Sequence, residues 1–509
     1  MSAPELTPTI GLEVHMHLAT RTKLFCGCRV AYDARPNSRV CPVCLGMPGV
    51  LPVMNEKAVE LAVRMALALG CTIPDLAKWD RKHYYYPDLP KNYQISQYDQ
   101  PLGVGGFLEI SVEGGVKRIG IIRVHLEEDA GKLMHAALRQ AQGGPESRHG
   151  RDRGAEGGGN SSVVDLNRTG TPLLEIVSDP DMNSPEEVRA YSTALRQLAV
   201  YLGVGHCNMQ LGQMRFEPNI SLRVGTGPDG RPRYTPIAEI KNLNSFRSVE
   251  RAVAFEIARH REEYEADPQG YTLERLGKQT RGWIDDREVT FLQRSKEEAH
   301  DYRYFPEPDL VPFVPDRRWV DEIRASLPEL PEARRRRFID EYGLPEYDAG
   351  VLTADREVAD FYETAARLCE DPKAASNWVM QDVSRVLNER KVSIGDLPIG
   401  PEALAGLIRL VRAGTINRNT GTEVFNKMLE TRRSALKIVE EEGLAMTSDA
   451  GKLETIVDKV IADNPGPAAD YRGGKEKALG RLIGEAMKAT GGKANPKVAR
   501  DILVRKLRG

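Results

Sequence analysis

The chain lacks most of the features that would assign a protein quickly. No run of about eighteen uncharged apolar residues occurs; the longest greasy stretch, 61–69, contains Arg64 and reads as an amphipathic helix, so no membrane span is expected. The N-terminal stretch carries Glu5 and Glu13 and has no basic segment ahead of an apolar one, so no secretory leader is expected. A phosphate-binding G-x-x-x-x-G-K-[ST] loop is missing: Gly131-Lys132 runs into Leu133 and Gly492-Lys493 into Ala494. G-x-S-x-G, H-E-x-x-H and a strand-borne G-x-G-x-x-G are also missing, so any ATP site must be unconventional. Excess charge of one sign is lacking too. The 71 Lys plus Arg against 73 Asp plus Glu leave a net charge of −2, so nucleic-acid contact would have to come from a local patch. Cysteine is scarce and odd in number, seven in all, with four crowded into 26–44; this suits a metal site in the reducing cytoplasm better than a disulfide framework.

What is present is ordinary globular material: 41% hydrophobic and 28% charged residues over 509 positions, enough for three or four domains. From 1 to about 300, short β-type runs (10–15, 107–112, 118–124, 219–224) alternate with Gly and Pro turns, and helical patterns span 55–70 and 184–203. The expected class is α+β: an N-terminal antiparallel-sheet cradle, then an all-helical domain over 301–412, then a helical tail over 413–509. Helical patterns there cover 331–342, 356–368, 374–390 and 402–413. Residues 136–162, rich in Gly, Arg, Gln and Ser, read as a flexible insertion. From Tyr471 onward eleven Lys or Arg face three acids, a local +8, which reads as a solvated helical face or as a phosphate-binding patch.

The clearest chemical pattern is Cys26-Gly27-Cys28, twelve residues, then Cys41-Pro42-Val43-Cys44. Two close thiol pairs can converge on one tetrahedral ion, and four thiolates close the coordination sphere, so structural zinc is expected on Cys26, Cys28, Cys41 and Cys44. Cys71, Cys207 and Cys369 have no partner at ligand spacing and read as small buried hydrophobes. Glu13 and His15 alternate on an expected strand and so share a face. Glu175 sits inside the apolar run Leu173 to Val177, where an unpaired charge would be costly; it and the acids of His125-Leu126-Glu127-Glu128-Asp129 either ligate a hard cation such as magnesium or pair with arginine. The segment 78–91 interleaves Lys78, Lys82 and Lys91 with Tyr84, Tyr85 and Tyr86, which suits phosphate and base contacts or a half-buried edge strand.

Several long segments together resemble one family, the B subunit of the tRNA-dependent amidotransferases (GatB). They are Ile10-Gly11-Leu12-Glu13-Val14-His15, the stretch from Tyr86-Pro87-Asp88-Leu89-Pro90-Lys91 to Gln97, His125 to Lys132, Val164 to Leu173, Lys241-Asn242-Leu243-Asn244-Ser245-Phe246, and Asp301 to Asp309. Ser376-Asn377-Trp378 and the stretch from Gly491 to Pro496 are similar to the family's helical domain and YqeY-like tail.

The resemblance implies an ATP-dependent carbon–nitrogen ligase. It would phosphorylate the side-chain carboxylate of misacylated Glu-tRNA(Gln) or Asp-tRNA(Asn) and amidate it with ammonia. The partners implied are an amidase subunit that supplies the ammonia, a small third subunit, the misacylated tRNA and the synthetase that charges it. ATP, Mg2+ and structural Zn2+ are the cofactors implied. By matching position, Glu13, His15 and Glu128 belong to the metal and ATP site, with Glu175 added on the charge argument above. Lys82 and Lys91 match the lysines lining it, and Glu217 and Glu239 serve metal binding or ammonia delivery. Lys475, Lys477, Arg481, Lys488, Lys493 and Lys497 of the basic tail are the tRNA contacts expected. The chain departs from the family where Gln210 and Leu211 replace two acids and Glu217 replaces Asp. The alternative is a non-catalytic, zinc-stabilised tRNA-binding scaffold, which the cysteines and the basic tail would also serve.

Overall fold

The computed structural model describes residues 6–135, 162–294, 302–446, 450–490, 494 and 496–508. The chain divides into two compact units, Met1–Leu330 and Pro331–Gly509.

The first unit is α+β. Its strands are β1 (Thr7–His17), β2 (Asp80–His83), β3 (Tyr93–Ser96), β4 (Gly103–Val112), β5 (Gly115–Glu128), β6 (Lys132–His135), β7 (Ser162–Asp165), β8 (Pro172–Ser178), β9 (Met214–Thr226), β10 (Pro232–Tyr234), β11 (Ile237–Lys241), β12 (Lys278–Ile284), β13 (Val289–Arg294) and β14 (Phe305–Pro306). One large sheet runs β13-β12-β11-β9-β1-β8-β5-β4, with β10 on β9; β14-β2-β3 form a small second sheet. The large sheet is mixed: its pairs are antiparallel except β11 with β12, which are parallel and joined by a long helix, as a parallel crossover requires.

That helix, α3, and the two before it are set by their caps. Asn55 accepts from the Ala58 amide ahead of α1 (Glu56–Ala68), and Ser184 from the Glu187 amide ahead of α2 (Pro185–Tyr201), which opens on proline. Ser245 caps α3 (Phe246–Ala266) through the Ser248 amide. The helices bury Val59, Leu61, Val63, Val188, Leu195, Val249 and Val253 in one core with Ile10, Leu12, Val14 and Met16 of β1, Leu174 and Ile176 of β8, and Phe216 of β9. Even-numbered residues of β1 and β8 thus face the helices, and odd-numbered ones face away from them. The core continues through Val320 and Ile323 of α4 (Arg317–Ala325).

The second unit is helical, with one core over 338–439 and another over 453–507. The helices Pro331–Tyr342 and Pro401–Arg412 match the sequence patterns closely, whereas the expected helix 374–390 is broken by a π turn at Val379–Val383. No described helix is long and apolar enough to cross a membrane. The insertion expected at 136–162 lies outside the described residues except for Ser162.

Candidate functional site

The face of the large sheet turned away from the helices floors a cavity of about 550 Å³. Strand register builds it. His125 of β5, Glu175 of β8, His15 of β1 and Arg215 of β9 lie opposite one another in a single cross-strand row. The next row holds Arg123, Val177, Glu13 and Glu217, and Glu239 of β11 stands beside Asn219 and Thr280. Residues more than 200 positions apart, such as Glu13 and Glu217, thereby share one surface. Lys82 of β2, Ser96 of β3, and Tyr98, Tyr302 and Tyr304 supply the facing wall.

Two carboxylate groupings stand in this cavity. In the first, the His15, Glu127 and Glu175 ligand atoms lie within 4.8 Å of one another. Glu175 Oε2 sits 3.2 Å from His15 Nε2 and 3.1 Å from His125 Nε2, and Glu127 Oε2 accepts from Ser96 Oγ at 3.1 Å. Burial opposes a charge on His15, but Glu175, with Glu217 and Glu127 behind it, outweighs that and raises the imidazole to about 9. Burial likewise opposes ionisation of Glu175, and His125 and His15 hold it well below the usual carboxylate range. His15 Nδ1 and His125 Nδ1 are buried without a hydrogen-bond partner. The two buried carboxylates of this set fit a divalent cation with open positions, and His15 joins them once the cation displaces its proton.

The second grouping is Glu13, Glu217 and Glu239, likewise within 4.8 Å. It already carries its own cations. Lys241 Nζ lies 2.7 Å from Glu217 and 3.7 Å from Glu239, and Lys278 Nζ 3.4 Å from Glu239 and 3.7 Å from Glu13. Asn219 Nδ2 donates to Glu13 at 3.0 Å and Thr280 Oγ1 to Glu239 at 2.9 Å. It therefore has less need of a metal than the first. Arg168 and Arg215 also line the cavity, held by buried Asp129 at 3.2 and 3.1 Å, which His17 steadies at 2.7 Å.

Lys82 points into the same space. Among the described residues no carboxylate lies within 4 Å of its ammonium, which rests 5.0 Å from the centre of the Tyr302 ring. Burial opposes its charge, but Glu127, Tyr304 and Glu175 raise its pKa above the ordinary lysine value, so it stays protonated. The neighbouring Tyr84, Tyr85 and Tyr86 fall beyond the end of β2, which stops at His83; they are loop residues and not an edge strand.

Two residues expected here lie elsewhere. Glu128 projects from the opposite face of β5, where its carboxylate accepts from the Ile95 amide at 2.9 Å and pairs with Lys91. Both line a small pocket of about 80 Å³ together with Lys23, Cys26 and Cys44. Glu127 takes the place beside His15 that the motif had suggested for Glu128, because alternation sends neighbours to opposite faces. Sequence reading also left out His125, Arg123, Arg168, Arg215, Lys241 and Lys278. The i, i+2 spacing of His125, Glu127 and Asp129 was the available signal.

The four cysteines of the knuckle converge, with their sulfurs within 4.8 Å of one another. The Cys41 amide donates to Cys44 Sγ at 3.2 Å. Hydrogen bonding from Cys26 holds the Cys44 thiol below its ordinary value, while the same contact pushes Cys26 up. Four sulfurs with amide support fit a tetrahedral zinc ion. Cys41→Ser is expected to lower both the zinc content of the chain and its melting temperature; an unchanged zinc-to-protein ratio would remove this cysteine from the ligand set. Cys71, Cys207 and Cys369 are buried as free thiols.

In the tail, Lys475, Lys477, Arg481, Lys488 and Lys497 are exposed, while Leu479, Leu482 and Ala486 of the same segment turn inward; Lys493 lies outside the described residues. Two of these cations make exposed ion pairs, Lys475 with Asp470 and Lys488 with Glu485, each at 2.9 Å.

Comparison with known proteins bears on both units. Residues 8–321 match the GatB/GatE catalytic domain and 360–507 the GatB domain that follows it. The aspartyl/glutamyl-tRNA(Asn/Gln) amidotransferase B subunit of Carboxydothermus hydrogenoformans is 49% identical over 503 residues, 99% of each chain. That of Moorella thermoacetica is 49% identical over 506 residues, covering 99% of this chain and all of the other. That of Geotalea daltonii is 48% identical over 506 residues, with the same coverage. A catalytic-domain match over more than half the chain, joined to near-full-length identity with these proteins, makes this protein a member of the GatB family.

Proposed function

We propose that this chain is the B subunit of an amidotransferase that uses ATP to activate the side-chain carboxylate of misacylated Glu-tRNA(Gln) or Asp-tRNA(Asn), and then lets ammonia displace the phosphate. The observation that carries the reading is the juxtaposition of Lys82, which has no carboxylate within 4 Å among the described residues, with the His15, Glu127 and Glu175 grouping in one cavity. An ammonium with no carboxylate in direct contact can take a phosphate oxygen, and the buried carboxylates of Glu127 and Glu175 can take a cation; a nucleotide triphosphate with its metal supplies both.

The chemistry follows from charge. A carboxylate resists ammonia because oxide would have to leave; phosphorylation provides a leaving group, and cations must first offset the repulsion between two anions. A divalent cation on His15, Glu127 and Glu175 would neutralise phosphate oxygens. Lys82 holds a phosphate as a point charge, Arg215, fixed by Asp129, orients the incoming carboxylate or phosphate, and Arg168, whose Nε and Nη2 donate to the Ala130 and Gly131 carbonyls, adds its charge to that wall. Glu217, Glu239 and Glu13, buffered by Lys241 and Lys278, form the polar side from which ammonia approaches. Lys91 and Glu128 stand on the reverse face of β5 and support the strand that carries Glu127. An amidase subunit supplies the ammonia, and a small third subunit holds the pair together.

The test is assembly with the amidase and small subunits, followed by γ-phosphate release from ATP in the presence of each misacylated tRNA, with and without an ammonia donor. Cleavage dependent on charged tRNA, with amide formed only when ammonia is present, is the expected result. Tight tRNA binding without cleavage would instead make the chain a binding scaffold. The exposed tail cations are taken as phosphate contacts. Replacing Lys477, Arg481, Lys488 and Lys497 together by Ala leaves the tail core intact and is expected to weaken tRNA binding. The salt dependence should flatten by about one unit of slope for each phosphate left without its cation. An unaltered slope in a binding titration would show that this face meets solvent only.

A further inference from the structure

Lys23 is 1% exposed, although it belongs to a residue type almost never buried without a partner. Its Nζ donates to Cys44 Sγ at 3.5 Å, and among the described residues that is its only side-chain hydrogen bond. Its amide donates to the Cys28 carbonyl at 2.9 Å, so this one residue touches both arms of the knuckle, the Cys26–Cys28 pair by backbone and the Cys41–Cys44 pair by side chain. The second lysine of the same small pocket, Lys91, is already paired with Glu128. Charge in this pocket therefore sorts into two couples, Lys91 with a carboxylate and Lys23 with sulfur.

We propose that Lys23 is the counter-cation of the cysteine cluster and sets how tightly the cluster keeps its metal. The inference rests on the reading that Cys26, Cys28, Cys41 and Cys44 hold a divalent ion. Four thiolates around such an ion leave two net negative charges, and enclosing them in a fold is costly unless a cation is enclosed with them. A lysine buried against neutral thiols would face that penalty alone; buried against a thiolate cluster, each charge removes the other's cost. Gly170 lies beside both: a Cβ there would stand in ordinary van der Waals contact, 3.6 Å from Cys44 Cβ and from Lys23 Cδ, so the stem and the knuckle flank the same point of backbone. Partners that support a metal ligand without touching the metal commonly change affinity 10- to 100-fold. Lys23 is thus a positioning residue of the knuckle and takes no part in carboxylate activation.

The experiment uses the full chain with zinc as the probe, in wild type, Lys23→Met, Lys23→Arg and Cys41→Ser. Lys23→Met keeps the stem and removes the charge. It is expected to bind one zinc per chain but to yield it to a competing chelator at 10- to 100-fold lower chelator strength, with Lys23→Arg recovering most of the loss. Cobalt substitution should give the same thiolate charge-transfer band in Lys23→Met and wild type, showing four sulfur ligands in both. Equal zinc retention in Lys23→Met and wild type would overturn the proposal while leaving the cluster reading intact if Cys41→Ser still loses metal. If wild type and Cys41→Ser are both zinc-free after refolding with zinc, the cluster reading fails and takes the proposal with it. Should Lys23→Met fold poorly, rescue by excess zinc supports the charge role, and failure to fold whatever the zinc concentration overturns it.

Discussion

Glu127→Gln is expected to slow tRNA-dependent ATP cleavage about 10²- to 10³-fold, with tRNA affinity nearly unchanged and the melting temperature close to that of wild type. The side chain is 2% exposed, and its Oε2 accepts from Ser96 Oγ at 3.1 Å. Its oxygens lie 3.9 Å from both His15 Nε2 and His125 Nε2. An amide of the same shape retains the Ser96 hydrogen bond but withdraws the negative charge that would help hold a cation against phosphate. Glu128→Gln should behave differently. It leaves the Lys91 ammonium, 7% exposed, without its carboxylate, and breaking a buried pair from one side costs about 3–5 kcal/mol. Its first sign should be a lower melting temperature, read by calorimetry on the purified chain. Normal cleavage by Glu127→Gln, beside an inactive Glu128→Gln of unchanged stability, would reverse the assignment of the two faces.

This pair also marks the limit of what could be read before the fold was known. The knuckle was legible because its ligands are close in sequence, and a thiol pair at short spacing carries its geometry with it. Glu13 and His15 were legible as neighbours because a strand has a period of two. The choice between Glu127 and Glu128 needs the register of β5 on β8, and a slip of one residue would exchange their faces without altering the motif. The row His125, Glu175, His15, Arg215 joins four strands, and no local pattern announces which residues of β9 will stand beside β1. Helix starts fared better, since Asn55 and Ser184 act through amides only three residues away. Lys23 carried no signal at all: a lone lysine before an apolar pair reads as surface until the knuckle closes over it.

The remaining large effect lies behind the site. Glu256→Ala is expected to lower the stability of the first unit by about 3–5 kcal/mol, because it would leave buried cations without their carboxylate. Glu256 is 0% exposed on α3. It takes Arg259 at 2.6 Å, Arg281 of β12 at 3.1 Å and the hydroxyl of Thr290 on β13, so one side chain ties the helix to two strands. Arg281 follows Thr280, whose side chain points the other way, to Glu239 in the cavity; loosening β12 should therefore disturb the cavity edge as well as the core. His260 lies in the same network, its Nδ1 3.0 Å from the Tyr271 hydroxyl. Burial first, and then the Arg259 charge, lower its pKa to about 3. Because an unfolded histidine titrates near 6.5, the unfolded chain binds the extra proton between these values. The contribution of His260 is thus fully present above about 6.5 and is lost as pH falls toward about 3. Glu256, held below the usual carboxylate range despite burial by Arg259 and Thr290, adds its loss at the acid end of that window. Melting temperatures of wild type and Glu256→Ala, taken from pH 7 down to about 4, provide the check. Both should fall with acid from a lower start in the variant, and equal curves would show that the network holds nothing together.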